Sequence, residues 1–158
     1  MTALLEFCSD LPTERVAPGA VLIEEGTQPT RMYVLRSGSV LIQRDDVRVA
    51  RIDSPGAVLG EMAVVLGKPA TATVVAESEA ELCVIHDPTG FLVERPGAAL
   101  AVLRTTAARL DGLTQYLVDV KQQYSGAEGH LGMVDQILDT LVHHQVPAAR
   151  PGSARDPE

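Results

Sequence analysis

Aromatic residues are scarce in this 158-residue chain: there is no Trp, and only Phe7, Phe91, Tyr33, Tyr116 and Tyr124 carry rings. Any core must therefore be built from aliphatic side chains. Cysteine is nearly absent too. Cys8 and Cys83 are too few for a disulfide scaffold or a zinc cluster. No apolar run approaches the roughly 18 to 20 residues of a membrane-spanning helix. The first ten residues lack a positive n-region and carry Glu6 and Asp10, which excludes an ordinary signal peptide. Excess positive charge is also missing. The net charge of −8, with a pI near 4.9, argues against a protein devoted to neutralising nucleic-acid phosphates or docking on an anionic membrane. Only Lys68 and Lys121 are lysines, the remaining bases being Arg, a bias typical of a GC-rich bacterial genome. What is present is an apolar share of 46% with a mean hydropathy of +0.11, enough for a sizeable core and too much for wholesale disorder. The expectation is one soluble, reduced, cytoplasmic domain with an appendage.

Turn residues recur at short intervals between positions 18 and 88: Pro18-Gly19, Gly26 to Pro29, Ser37-Gly38-Ser39, Asp45-Asp46, Ser54-Pro55-Gly56, Gly67-Lys68-Pro69 and Asp87-Pro88. Between them lie short aliphatic stretches, namely Val21 to Ile23, Met32 to Leu35, Val40 to Ile42, Val47 to Ile52, Thr73 to Ala76 and Leu82 to Ile85. Many short strands with evenly spaced turns predict an antiparallel sandwich, jelly roll or small barrel. Their alternation is imperfect, as expected where both faces of a strand are covered. The stretch from Glu61 to Leu66, between two glycines, reads instead as one short helix.

After Ala98 the texture becomes helical. Leu103, Thr106, Leu110, Leu113, Leu117, Val120 and Tyr124 alternate steps of three and four, a heptad seam with one polar member. Two readings stand: a stripe packed on the β-domain, or a self-pairing helix that makes a homodimer. The narrowness of the stripe favours the second. Leu131 to Val142 outline a second amphipathic helix. The expected organisation is an N-terminal helical segment over 1–15 and a β-roll over 16–88. C-terminal helices over 89–125, a terminal helix over 130–146 and a disordered tail over 147–158 follow.

Two passages carry more. One is Pro18-Gly19, Glu25-Gly26 and Met32 to Val40; the other is Gly60-Glu61-Met62-Ala63 followed by Pro69-Ala70-Thr71-Ala72-Thr73. Together they resemble the cyclic nucleotide-binding domain of catabolite activator-type regulators, protein kinase A regulatory subunits and cyclic-nucleotide-gated channels, over residues 5 to 120. The resemblance implies a mainly β fold: an antiparallel β-roll with a short phosphate-cassette helix and a long C-terminal helix. It also implies a cyclic AMP or cyclic GMP ligand, no catalytic residue and no other cofactor.

A helix opening at Gly60 presents unpaired N–H groups suited to an anion. Glu61 inherits the ribose-binding role. Met62 and Ala63 complete the helix start. Thr71 matches a small residue that touches the phosphate, Ala72 lies between, and Thr73 falls where some relatives choose guanine over adenine. By approximate alignment Thr114 caps the base and Arg109 reaches toward Glu61. The departure is Ala70, where the family usually has an Arg paired with the phosphate. Losing a charge-assisted hydrogen bond worth about 1.5–3 kcal/mol weakens binding on the order of 10- to 150-fold unless something compensates. Lys68 offers at best a point charge.

No metal pattern competes with this reading. Cys83 and His86 point to opposite faces of a strand, and His143 and His144 diverge on a helix. From Leu131 to Val146 there is Asp135, Asp139 and no Lys or Arg, so a recognition helix is not expected and nucleic acid is not an expected partner. The leading reading is a stand-alone cyclic nucleotide sensor acting on an unidentified effector protein. The alternative is an interaction module that has kept the fold and lost the ligand.

Overall fold

A computed structural model describes residues 3–123 and 131–143. The chain divides into two compact units, one up to Thr105 and one from Thr106 onward.

The first unit is the β-roll. Its strands are β1 (Thr13–Val16), β2 (Val21–Ile23), β3 (Met32–Ser37), β4 (Val40–Arg44), β5 (Val47–Ile52), β6 (Val58–Leu59), β7 (Thr73–Ala76) and β8 (Ala80–Ile85). They form two four-stranded antiparallel sheets, ordered β1-β8-β3-β6 and β2-β7-β4-β5. Helix α1 (Ala3–Glu6) precedes the strands, α2 (Glu61–Leu66) interrupts them between β6 and β7, and α3 (Pro88–Glu94) follows them. The six aliphatic stretches legible in the sequence are all strands. Among the described residues of the segment 1–15, helix spans Ala3–Glu6, and from Thr13 the chain is strand, Thr13–Val16 pairing with Ala80 to Cys83.

The central strands β8 and β3 of the first sheet are buried on both faces, and this explains the broken alternation. In β3, Met32, Val34 and their neighbours Cys83, Ile85 and Val58 pack outward against Leu4, Phe91, Ala98 and Val102 of the helices. Tyr33 and Leu35 point the other way, into the space between the sheets, with Leu82, Val84, Val40, Leu59 and Val74. A strand covered on both sides cannot alternate polar with apolar. Each fully buried aliphatic side chain here contributes about 1.5–3 kcal/mol relative to exposure. The outer face of the second sheet is open, and Val21, Val47 and Val49 are exposed.

Cys8 and Cys83 are completely buried free thiols in the outward cluster. Arg36 Nε donates to Cys83 Sγ at 2.9 Å. Burial, with the neighbouring Cys83 second, pushes the Cys8 thiol up to about 12.

Asp87 caps α3 by accepting from the Gly90 N–H at 3.0 Å, and Pro88 sits in its first turn, where a missing N–H costs nothing. The chain then re-enters helix at Pro96, and α4 (Pro96–Gln123) runs on into the second unit.

The second unit holds the remainder of α4 and the helix α5 (Leu131–His143), with an ion pair between Lys121 and Asp135. Along α4, Leu103, Leu110 and Leu113 are exposed and Leu117 and Val120 are half-buried. Tyr124, the expected tail over 147–158, and the ends of the two expected C-terminal helical segments lie outside the described residues. Among the described residues no helix is long and apolar enough to cross a membrane.

Candidate ligand-binding site

Helix α2 is a single short insertion between β6 and β7, and both of its ends need glycine. Gly60 has φ 88° and Gly67 φ 62°, the left-handed region that costs other L-residues roughly 1–2 kcal/mol. Gly60 is also cramped. A Cβ there would stand 2.9 Å from Ile23 Cδ1 and 3.5 Å from the Arg31 carbonyl oxygen. Gly67 closes the helix by donating its N–H to the Ala63 and Val64 carbonyls.

Within α2, Glu61 is 5% exposed and Ala63 is buried, whereas Met62 faces solvent at 48%. Glu61 and Ser39 are the two buried polar side chains of the roll among the described residues. Ser39 is accounted for structurally, its hydroxyl donating to Glu77 Oε2 at 2.9 Å. A buried carboxylate at the start of a short exposed helix is the unusual feature. Since the Met62 side chain points outward, that residue can offer an inward ligand only its backbone.

Ala70 is 7% exposed and belongs to the cluster between the sheets. Its backbone is pinned from both sides: its N–H donates to the Thr27 carbonyl at 2.9 Å, and its carbonyl accepts from the Gly26 N–H at 2.8 Å. Thr71 and Ala72 are half-buried. Thr73 begins β7, and its hydroxyl oxygen accepts from the Glu25 N–H at 3.0 Å. That hydroxyl therefore already ties the strand to the turn at 24–27. Lys68 is exposed.

The expected residues Gly60 to Ala63 and Ala70 to Thr73 thus lie in one unit, linked through the segment 23–31. Both ends of that segment, Ile23 and Arg31, approach Gly60, and its middle, Glu25 to Thr27, holds Ala70 and Thr73. Arg109 and Thr114 belong to the second unit, on α4, where the Thr114 hydroxyl donates to the Leu110 carbonyl at 2.8 Å.

Beside the cassette opens a cleft of about 250 Å³, whose lining includes Ile23, Glu24, Thr27, Thr30, Arg31 and Tyr33. The sequence reading missed it. The available signal was the position of Arg31, directly before the buried run Met32 to Leu35 and in phase with the inward-facing Tyr33. Among the residues lining the cleft, Arg31 is the sole cation, and its Nη1 lies 3.8 Å from Glu14 Oε1, with both side chains nearly half exposed. Among the described residues no cluster of three or more His, Cys, Asp or Glu is placed to hold a metal.

These features define an antiparallel β-roll with a short helix inserted between strands and a helical C-terminal arm. The chain belongs to the cyclic nucleotide-binding domain family, whose model matches residues 13–88. It is similar to the N-terminal domain of a transcriptional regulator from Streptomyces coelicolor A3(2), at 30% identity over 69% of this chain and 82% of that one, with a TM-score of 0.52. A protein of a cyclic-GMP-dependent signalling pathway that regulates bacterial phytopathogenesis shares the fold at 24% identity, over 71% of this chain and 95% of that one, with a TM-score of 0.60. So does the regulatory subunit of a cAMP-independent protein kinase A from Trypanosoma brucei, at 22% identity over 61% and 37%, with a TM-score of 0.53. A triple mutant of that subunit, with a threonine-to-arginine change among its substitutions, is bound to cAMP in the A site. No curated protein matches this chain.

Proposed function

We propose that this chain is a non-catalytic sensor that takes a cyclic nucleotide between Gly60 and Thr73 and acts through its C-terminal helices. The observation that carries the reading is the buried Glu61 carboxylate, held behind a glycine with a positive φ, in the same unit as Ala70 to Thr73. A carboxylate at that depth suits a ribose 2′-hydroxyl, which donates a hydrogen bond and brings no competing charge. Gly60 lets the backbone come close. Thr71 supplies a hydroxyl for the phosphate, and Ala63 and Ala72 leave room around it. The partners are an effector protein and a second copy of the chain joined through the stripe from Leu103 to Tyr124, and nucleic acid is not among them.

Ala70 favours a second reading. In place of the family's usual arginine, a methyl group sits within an apolar cluster, as in a domain that keeps the fold for protein contacts alone. Isothermal titration with cyclic AMP and cyclic GMP separates the two. The sensor binds at least one of them with a dissociation constant below the millimolar range, and Glu61→Ala weakens it. No heat with either nucleotide at millimolar concentration rejects the sensor in favour of the interaction module.

A further inference from the structure

We infer that Arg31 supplies the charge partner for the ligand's phosphate which position 70 does not. The inference rests on the sensor reading above. Three observations converge on Arg31. It is the sole cation lining the cleft beside the cassette. Its carbonyl oxygen lies within van der Waals reach of a Cβ at Gly60, so its backbone abuts the start of α2. The strand that follows it, β3, pairs Tyr33 with Leu59 and Val34 with Val58 of β6, the strand that leads directly into α2.

The segment that carries Arg31 is fixed to the far half of the cassette as well. Gly26 and Thr27 hold both backbone groups of Ala70, and the Glu25 N–H donates to Thr73. Residues that line the cleft therefore border both passages that define the site, Ile23 and Arg31 at Gly60 and Thr27 at Ala70.

Arg31 is available for this task. Its one ion pair, with Glu14, spans 3.8 Å between side chains 45% and 46% exposed, a geometry worth little to folding. An anion entering the cleft competes with that loose contact and with Glu24, the one acidic residue of the lining. A guanidinium can then take two phosphate oxygens in parallel, which an ammonium cannot. The shared chemistry is a singly charged phosphodiester. A nucleoside with the same base and sugar lacks it.

The test is a titration of the wild type, Arg31→Gln, Arg31→Lys and Ala70→Arg with cyclic AMP and cyclic GMP, and with adenosine and guanosine as phosphate-free controls. Arg31→Gln lowers cyclic nucleotide affinity about 10- to 100-fold and flattens its salt dependence, while nucleoside affinity holds within twofold. Arg31→Lys falls between. Glu14→Gln, which frees the guanidinium, raises cyclic nucleotide affinity a few-fold. Equal losses for nucleotide and nucleoside in Arg31→Gln overturn the charge role, because they report damage to the cleft as a whole. An unchanged affinity in Arg31→Gln, beside a wild type that binds, overturns the inference and leaves the sensor reading intact. A silent wild type beside a binding Ala70→Arg overturns the inference together with the sensor reading, since the site then works only with a cation that this chain lacks at position 70. If every variant is silent, the sensor reading falls and takes this inference with it. Thermal unfolding checks that Arg31→Gln is folded, with a melting temperature expected within a few degrees of wild type.

Discussion

Replacing Ala70 by Arg sets two effects of similar size against each other. The methyl group is 7% exposed in the cluster between the sheets, and the backbone beneath it is fixed by hydrogen bonds to Gly26 and Thr27. The longer side chain must leave from a Cα that cannot retreat. Overpacking costs about 1–3 kcal/mol, and a guanidinium left in the cluster without a partner costs several more. Threading toward the adjacent cleft lets it keep its head in water. The unliganded variant is therefore less stable by about 1–3 kcal/mol, a large share of the 5–15 kcal/mol typical of a domain.

A bound phosphate reverses the sign. A charge-assisted hydrogen bond returns about 1.5–3 kcal/mol, so affinity rises by one to two decades. Nucleotide at one hundred times its dissociation constant adds a further stabilisation of about 2.7 kcal/mol. Urea unfolding with and without cyclic AMP or cyclic GMP, beside isothermal titration, measures both halves. The expected signature is a lower midpoint without ligand that returns to the wild-type value with it. Ala70→Met separates bulk from charge: it shows the overpacking loss and no gain in affinity. Destabilisation without gained affinity, in a wild type that does bind, refutes the assignment of position 70 to the phosphate. An unliganded Ala70→Arg as stable as wild type refutes the packing argument.

Three further outcomes are expected. Cys8, raised by burial from 9.0 to about 12, keeps its proton after an unfolded cysteine has lost it. Its contribution to stability is therefore full below pH 9 and is lost between pH 9 and 12, at a slope of at most about 1.4 kcal/mol per pH unit. Urea midpoints at pH 7.5 and 10 should fall less in Cys8→Ala than in wild type, and an identical fall contradicts the assignment. Leu110→Glu places a charge in the middle of the α4 stripe and should convert a dimer to monomers, whereas sedimentation of the wild type as a monomer at tens of micromolar rejects self-pairing. Asp45 and Asp46 form the β4–β5 turn with φ of 49° and 60°. Asp46→Gly should raise the urea-derived stability by about 0.5 kcal/mol, because relief of left-handed strain outweighs glycine's extra chain entropy. A loss would mean that the Asp46 side chain contributes a contact of its own.

Most strands that the sequence announced have a core to fill, β5 being the largely exposed exception. Met32 to Leu35 and Leu82 to Ile85 are apolar throughout because helices cover one side and the second sheet the other. What stayed illegible is what has no such periodicity. Thr13–Val16 reads as polar because its side chains are largely exposed, and it is a strand only because β8 offers an edge to pair with. Val58–Leu59 is too short to show any period. Glu61 and Ala70 were found through motif spacing, whereas the cleft was not, because its lining residues, all between Leu22 and Tyr33, follow no motif or period. Pinning of Ala70 by Gly26 and Thr27 leaves no trace in composition.

The double burial of the first sheet's central strands has a mechanical meaning. Neighbouring residues of β3 answer to different masters: Tyr33 and Leu35 feel whatever fills the space between the sheets, while Met32 and Val34 feel α3 and the first turns of α4. Each peptide bond of that strand joins one audience to the other. A close-packed wall of this kind is stiff, so displacement on one side has no slack in which to dissipate. The strand works as a diaphragm between two chambers. Odd and even positions along it should therefore tune separate properties, grip on one side and helix placement on the other, through a single thickness of backbone.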